Sequence, residues 1–314
     1  MSGAAEGHEL SAATREMVES AGLAPDLVVS RVQLALDEDL AYGPDVTTAA
    51  TVPPGQWVAA TIGSRAAGVV AGIPLVLATF DLVIGPTSWR LLAHQPDGSV
   101  VSPGDVVVAL EAPTAALLTA ERTALNFLGH LSGVATLTRC WADALGPTTR
   151  VRDTRKTIPG LRELDKYAVR CGGGLNHRMG LGDAALVKDN HVVAAGGVAE
   201  AVAQIRAEAP DVPLEVECDS AEQVTAAVDA GVDLILLDNM GVDQMRRCVE
   251  IGRASGRTVA FEASGGLHLA DAAEVAATGV DFAAVGALTH SAPVLDLGLD
   301  VLGVVTPSLG SRND

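Results

Sequence analysis

The chain has 314 residues, a net charge of −18 and 48% hydrophobic side chains, enough apolar material for a substantial core in one large or two moderate domains. Only 3% of residues are aromatic, and the acidic balance repels polyanions, which excludes nucleic acid as a general partner. No apolar run is long enough for a membrane span, and Glu6, Glu9, Glu16 and Glu19 interrupt the amino terminus where a secretory signal would need an apolar core.

From Asp26 to Leu40, the apolar positions Leu27, Val28, Val32, Leu34 and Leu36 predict a short helix that stops near Tyr42-Gly43-Pro44. Short strands are predicted at Trp57 to Ile62, Gly68 to Ile73, Trp89 to His94 and Val106 to Glu111. They are punctuated by Pro53-Pro54-Gly55, Pro96-Asp97-Gly98 and Ser102-Pro103-Gly104-Asp105, and together they suggest a small mixed sheet with helices. Leu117, Leu118, Leu125, Leu128, Leu131, Val134 and Trp141 then predict one or two helices over Thr114 to Leu145, joined near Ser132-Gly133.

After Gly146 the rhythm becomes strand, turn, helix. Strands are expected at Thr149 to Asp153, Ala184 to Lys188, Pro213 to Glu217, Asp233 to Asp238, Thr258 to Glu262 and Asp281 to Gly286. Helices at Ala221 to Ala230, Val242 to Ala254 and Ala270 to Ala277 fall between them. Strands alternating with helices imply parallel βαβ units. Six units are too few for an eight-stranded barrel but make an incomplete one, with its site at the carboxyl ends of the strands. Lys188, Glu217, Asp238, Glu262, Ser264 and Gly286 would ring that mouth, beside Arg155 and Lys156.

All three lysines, Lys156, Lys166 and Lys188, fall in this region, whereas every other cationic side chain is arginine. The stretch 150–191 holds nine cations against five acids. A local positive excess in an acidic chain points to a pocket for a small anion. Thr154-Arg155-Lys156 follows a predicted strand, where a planar guanidinium can grip two oxygens and lysine supplies a compact charge; a solvated basic loop is the competing reading. Gly172-Gly173-Gly174 precedes His177 and Arg178, as a closing loop or as an ordinary connection. Glu217 and Asp238 suit either a divalent cation with a phosphorylated ligand, or helix caps. Ser264-Gly265-Gly266 and Gly286 to His290 suit phosphate oxygens, or tight turns. The cysteines Cys140, Cys171, Cys218 and Cys248 have no zinc-like spacing and are expected as free thiols in a reducing cytoplasm.

The ordered words Glu121-Arg-Thr-Ala-Leu-Asn-Phe127, Asp153-Thr-Arg-Lys-Thr157, Asn176-His-Arg-Met-Gly180, Lys188-Asp-Asn-His191, Leu236-Leu-Asp-Asn-Met240 and Glu262-Ala-Ser-Gly-Gly266 resemble the quinolinate phosphoribosyltransferase family. Glu38-Asp39-Leu40 and Asp45-Val-Thr-Thr48 extend the resemblance toward the amino terminus. Gly182, where the family often has serine, and Cys218-Asp219 are small departures.

The resemblance implies an α/β fold: an amino-terminal α/β sandwich domain with linking helices over 1–146, and an incomplete parallel α/β barrel of about six strands over 147–290. Residues 291–314 would pack back on the first domain. It also implies a pentosyltransferase reaction, in which quinolinate and 5-phosphoribosyl 1-diphosphate give nicotinate mononucleotide, diphosphate and CO2 with Mg2+, in de novo NAD biosynthesis in the cytoplasm. Catalysis would rest on Lys156, Lys188, Glu217 and Asp238. The quinolinate carboxylates would be surrounded by Arg155, Lys156, His177, Arg178 and Lys188, with Thr154 beside them. Glu217 and Asp238 would face the ribose and the metal-diphosphate, while Ser264, Gly265, Gly266, Gly286 and His290 would hold the 5-phosphate. A homodimer or higher homo-oligomer is implied, with Arg122 reaching into the partner's site. Lys166, flanked by Glu163 and Asp165, matches no motif and reads as a solvated helix residue. The stretch before Pro25 and the tail after Thr306 read as frayed or peripherally packed. Competing readings are a molybdenum-transport-associated relative, a Schiff-base aldolase built on Lys188, and a non-catalytic module that binds phosphorylated metabolites.

Overall fold

The computed structural model describes residues 9–306. The chain divides into two compact units, one formed by residues up to Thr136 together with those from Pro293 onward, the other by Leu137–Ala292.

In the first unit, α1 (Ala12–Ser20), α2 (Pro25–Asp39) and α3 (Val46–Thr51) precede β1 (Trp57–Ser64), β2 (Gly68–Val69), α4 (Ile73–Ile84), β3 (Arg90–His94), β4 (Val100–Val101), β5 (Val106–Pro113) and α5 (Thr114–Leu145). A four-stranded antiparallel sheet runs in the order Leu297–Val305, β1, β5, β3. Alternate residues of β1, Val58, Ala60 and Ile62, turn inward and join Leu110, Phe80 and Leu117 in one core.

Local reading went astray here at one strand, and two readings left open by sequence are resolved. The expected strand Gly68 to Ile73 is extended only at Gly68–Val69, and Ile73 opens α4. Both Asp97 carboxylate oxygens accept amide protons at that helix start, from Gly72 (3.1 Å) and Ile73 (3.2 Å). This cap comes from 24 residues away and leaves no local signal. Nearly every residue of α4 is buried, so no amphipathic period marks it. Of the one or two helices read over Thr114 to Leu145 the structure has one: α5 is a single 32-residue helix that runs unbroken through Ser132-Gly133. Gly133 instead marks a close approach: a Cβ there would lie 2.1 Å from the Pro293 carbonyl oxygen. The segment before Pro25 is not frayed over its described part. Ser11 caps α1, its amide donates to Asp81 Oδ2 (2.9 Å), and Val18 is fully buried. The tail expectation falls largely outside the described residues.

The second unit contains β6 (Arg150–Arg152), α6 (Arg162–Cys171), β7 (Ala185–Val187), α7 (Asp189–Ala195), α8 (Val198–Glu208), β8 (Leu214–Cys218), α9 (Ala221–Asp229), β9 (Leu234–Asp238), α10 (Val242–Ala254), β10 (Ala260–Ser264), α11 (Ala272–Ala276), β11 (Phe282–Ala284) and α12 (Ala287–His290). Its six strands are all parallel, in the order β6-β11-β10-β9-β8-β7. The first strand thus pairs with the last, and the sheet stays open between β6 and β7. This is the incomplete six-stranded barrel expected from the sequence. Strand β10 begins two residues later than read, at Ala260, and the helix expected from Ala270 is a 3-10 turn, Leu269–Asp271, followed by α11.

Candidate active site at the open barrel mouth

Side chains alternate along a strand, so β8, β9 and β10 each turn apolar residues to one side and carry acids or a serine on the other. Val216, Cys218, Ile235, Leu237, Phe261 and Ala263 form the core beneath the helices. The residues between them, Glu215 and Glu217 on β8, Asp238 on β9, and Glu262 and Ser264 on β10, line the other face. Because the strands are parallel, their carboxyl ends share one rim around a cavity of about 480 Å³. Twelve residues singled out by sequence line it: Thr154, Arg155 and Lys156 after β6; His177 and Arg178 before β7; Lys188 after it; Glu217; Asp238; Glu262; and Ser264, Gly265 and Gly266.

Three others lie outside that lining. Arg122 is exposed on α5, in the first unit. Gly286 backs the Lys156 side chain, since a Cβ on it would come within 3.2 Å of Lys156 Cδ and 3.3 Å of His290 Nε2. His290 is exposed, with Nδ1 2.6 Å from Ser291 Oγ. Thr289, which sequence reading passed over, donates its hydroxyl to the Lys156 carbonyl (2.8 Å) and tethers that loop to α12.

Opposite charges meet at the rim. Lys188 Nζ donates to Glu217 Oε2 at 2.6 Å, with the lysine side chain 47% exposed. His191, which sequence reading left without a role, accepts the Lys188 amide proton at Nδ1 (3.0 Å) and fixes the start of α7. Asp238 Oδ2 accepts from Asn239 Nδ2 (2.9 Å). Arg178 donates to the Ala184 carbonyl (3.1 Å), and its pKa is pulled down by burial and by the neighbouring Arg155 charge. The buried Nε atoms of both arginines have no hydrogen-bond partner in the protein. Two crowded cations with unmet donors favour an anion between them.

A polar floor lies below, and only part of it was legible. His177 Nδ1 accepts the Arg178 amide proton (2.8 Å), so Nε2 carries the hydrogen and donates to Glu215 Oε2 (2.8 Å), with Glu262 Oε1 at 3.5 Å. Both ring nitrogens of His177 are therefore engaged by the protein. Arg152 binds Glu262 Oε2 at 2.6 Å and stacks over Phe282. Burial and the adjacent Glu215 push the Glu262 carboxyl up to about 7, against the opposing pull of Arg152 and His177. Although His177, Glu215 and Glu262 converge as metal ligands might, a protonated Nε2 has no lone pair to give, and Arg152 already supplies the cation. Sequence reading missed Glu215, for which the available signal was two acids at period two in Leu214-Glu-Val-Glu-Cys218.

Lys166 overturns its sequence assignment. It is fully buried, not solvated: its ammonium is paired with the equally buried Asp153 and donates to the His177 carbonyl oxygen (2.9 Å). Glu163 and Asp165, its neighbours in sequence, suggested a charged helix surface. The partner that matters lies 13 residues away.

At the far side of the rim, Asn239 is the one described non-glycine residue with positive φ (53°), followed in space by Gly265 (φ 83°) and Gly266 (φ 60°). A Cβ on Gly265 would come within 2.3 Å of Asn239 Oδ1, so close packing as well as backbone geometry selects glycine. Successive amides in such a turn form a concavity suited to phosphate oxygens.

Two family models match the chain. "Quinolinate phosphoribosyl transferase, N-terminal domain" covers residues 45–132, and "Quinolinate phosphoribosyl transferase, C-terminal domain" covers 134–300. The chain is 50% identical over 277 residues to the carboxylating nicotinate-nucleotide pyrophosphorylase of Mycobacterium leprae, spanning 88% of this chain and 98% of that one. It is 38% identical to the enzyme of that name from Homo sapiens, over 88% of this chain and 92% of that one. Among solved structures, NadC from Streptococcus pyogenes superposes with a TM-score of 0.83 at 38% identity, covering 90% of this chain and 99% of that one. The nicotinate-nucleotide pyrophosphorylase from Francisella tularensis gives 0.81 at 34% identity, covering 88% and 96%.

Proposed function

Because the chain belongs to the quinolinate phosphoribosyltransferase family, we propose that its barrel mouth is where quinolinate meets 5-phosphoribosyl 1-diphosphate, with Arg155, Lys156, Arg178 and Lys188 around the two carboxylates. Quinolinate phosphoribosyltransferase activity, in NAD biosynthesis, is the function of the chain. The observation that carries the site assignment is the cavity itself. It brings four cations together with Glu217, Asp238 and the Gly265-Gly266 turn, and one of the cations, Lys188, is paired with Glu217.

Quinolinate is a dianion, and hydrogen bonds to charged groups each contribute about 1.5–3 kcal/mol, so several cations are needed to replace its water. The engaged nitrogens of His177 give it a supporting role: its ring orders Arg178, and the arginine reaches the carboxylate. As diphosphate leaves, positive charge develops on the ribose, and Glu217 and Asp238 would stabilise it electrostatically. Ser264, Gly265 and Gly266 would hold the 5-phosphate, with Gly286 and His290 beside Lys156. Ribosylation makes the pyridine nitrogen cationic. When the bond from C2 to its carboxylate breaks and CO2 departs, the electron pair stays on C2 beside that positive nitrogen, and a proton from solvent then bonds to C2 to give nicotinate mononucleotide. The substrate therefore supplies its own stabilising charge.

Glu217 and Asp238 offer hard oxygen donors near the diphosphate position, a set that fits Mg2+ held by one or two carboxylates and phosphate oxygens. When bound, the ion supplies charge neutralisation on the leaving diphosphate. Lys188, half exposed and ion-paired at 2.6 Å, lacks the desolvation that a Schiff-base lysine requires. A homodimer in which Arg122 completes the partner's site, and a cytoplasmic location, belong to the same proposal. Incubation with quinolinate, 5-phosphoribosyl 1-diphosphate and Mg2+ should yield nicotinate mononucleotide and CO2; folded protein that forms neither would refute the assignment.

A further inference from the structure

Outside the groups assigned to the reaction, the second unit contains one fully buried ion pair, and it joins two of the segments that line the cavity. Asp153 follows β6 and immediately precedes Thr154-Arg155-Lys156. Asn176-His177 immediately precedes Arg178. The Asp153 side chain bonds to the second segment and to the lysine between the two. Oδ1 accepts from the Lys166 ammonium and from the His177 amide (2.9 Å), and Oδ2 accepts from Asn176 Nδ2 (2.5 Å). Lys166 also donates to the His177 carbonyl (2.9 Å), while its own carbonyl accepts from Asn176 Nδ2 (2.9 Å). The Asp153 amide bonds the Leu175 carbonyl (3.2 Å), and the Leu175 amide bonds Val151 (2.9 Å), so residue 175 continues the sheet edge beyond β6.

We infer that Lys166 is a positioning residue, whose buried ammonium fixes Asp153 as a shared acceptor and thereby sets the spacing between Arg155 and Arg178 for the two carboxylates of quinolinate. The spacing needs such a device. Arg155 and Arg178 carry like charges, and the Arg155 charge helps to pull the Arg178 pKa down; both follow loops that have no sheet of their own beyond the 175 bridge. A lysine suits the place because its compact ammonium directs donors at a carboxylate and a carbonyl at once, without the planar fork of arginine. Burial pulls its pKa down, and the Asp153 carboxylate opposes that shift through its charge and its hydrogen bond. Asp238 ends β9 and bonds Asn239, and the glycine turn follows β10; both stand apart from the Asp153 bonds, so the effect falls on one substrate. This inference rests on the substrate assignment above.

The test is steady-state kinetics of full-length Lys166→Met, with KM determined separately for each substrate. Displacing a binding group by about 1 Å can cost on the order of 100-fold, so KM for quinolinate is expected to rise about 10- to 100-fold while KM for 5-phosphoribosyl 1-diphosphate stays parental. A role in folding alone would lower the yield of active enzyme and leave both KM values unchanged; that result, or an equal rise in both, overturns the inference. If Lys166→Met fails to fold, Asn176→Ala, which removes a single donor to Asp153, decides by the same criterion. Calorimetric titration with quinolinate measures the effect without turnover. A parent chain that makes no product defeats the activity assignment, whereas unchanged quinolinate affinity in the folded variants defeats the positioning role.

Discussion

Glu262 shows how a residue's chemistry is set by what surrounds it. Its sequence position at a strand end suggested a rim acid, yet it lies fully buried between Arg152, His177 and Glu215, with its pKa raised from 4.5 to about 7. A carboxyl held above its unfolded value binds its proton more tightly in the native state. The group's contribution to stability is therefore present below about pH 4.5 and is lost as pH rises toward 7. Glu262→Gln removes this loss, so the melting temperature of the variant relative to the parent should climb between pH 5 and pH 8. A pH-independent difference would place the raised pKa in doubt. The type and order of most cavity residues were legible in the sequence, because motif words preserve chain order. The pairing of Lys166 with Asp153, and of His177 with Glu215, was not, because each joins residues from different elements.

Among the elements, strands of the second unit were easier to read than helices of the first. An apolar strand bounded by turn residues and ending in an acid or a lysine has a local signature, and β8 and β9 begin and end within one residue of expectation. Helix α4 has no such signature, being apolar on every side and capped from Asp97. Helix α5 was open between one helix and two, because Ser132-Gly133 resembles a break; the helix is continuous, and the glycine admits the Pro293 carbonyl. Alanine would gain about 1 kcal/mol of helix propensity at that position, against roughly 1–3 kcal/mol for overpacking. A Cβ 2.1 Å from a backbone oxygen puts the balance on the overpacking side, so Gly133→Ala should lower the melting temperature. An unchanged or raised value would show that the Pro293 segment moves aside at little cost.

For the whole molecule, the proposed shared site makes a sharp demand. Arg122 lies on a helix of the first unit and Lys188 at the rim of the second, so Arg122→Ala and Lys188→Ala should each be inactive alone. If Arg122 acts across a dimer, subunit exchange between the two variants creates some sites with both residues intact, and up to about a quarter of sites should recover for random mixing. Verified exchange without recovery would count against the arrangement. The sequence by itself determined the alternation of strands and helices and the local positive charge that points to an anionic ligand, since each depends on composition, period or spacing along the chain; the roles proposed for the residues around that ligand rest on the resemblance of the motif words. Only the tertiary structure decided that Lys166 is buried, that His177 has no free nitrogen, and that Glu215 and Glu262 share a floor beneath the cations. Those properties arise from burial and from partners distant in sequence, and the energy of a charged group is fixed by the medium and counter-charges that folding brings to it.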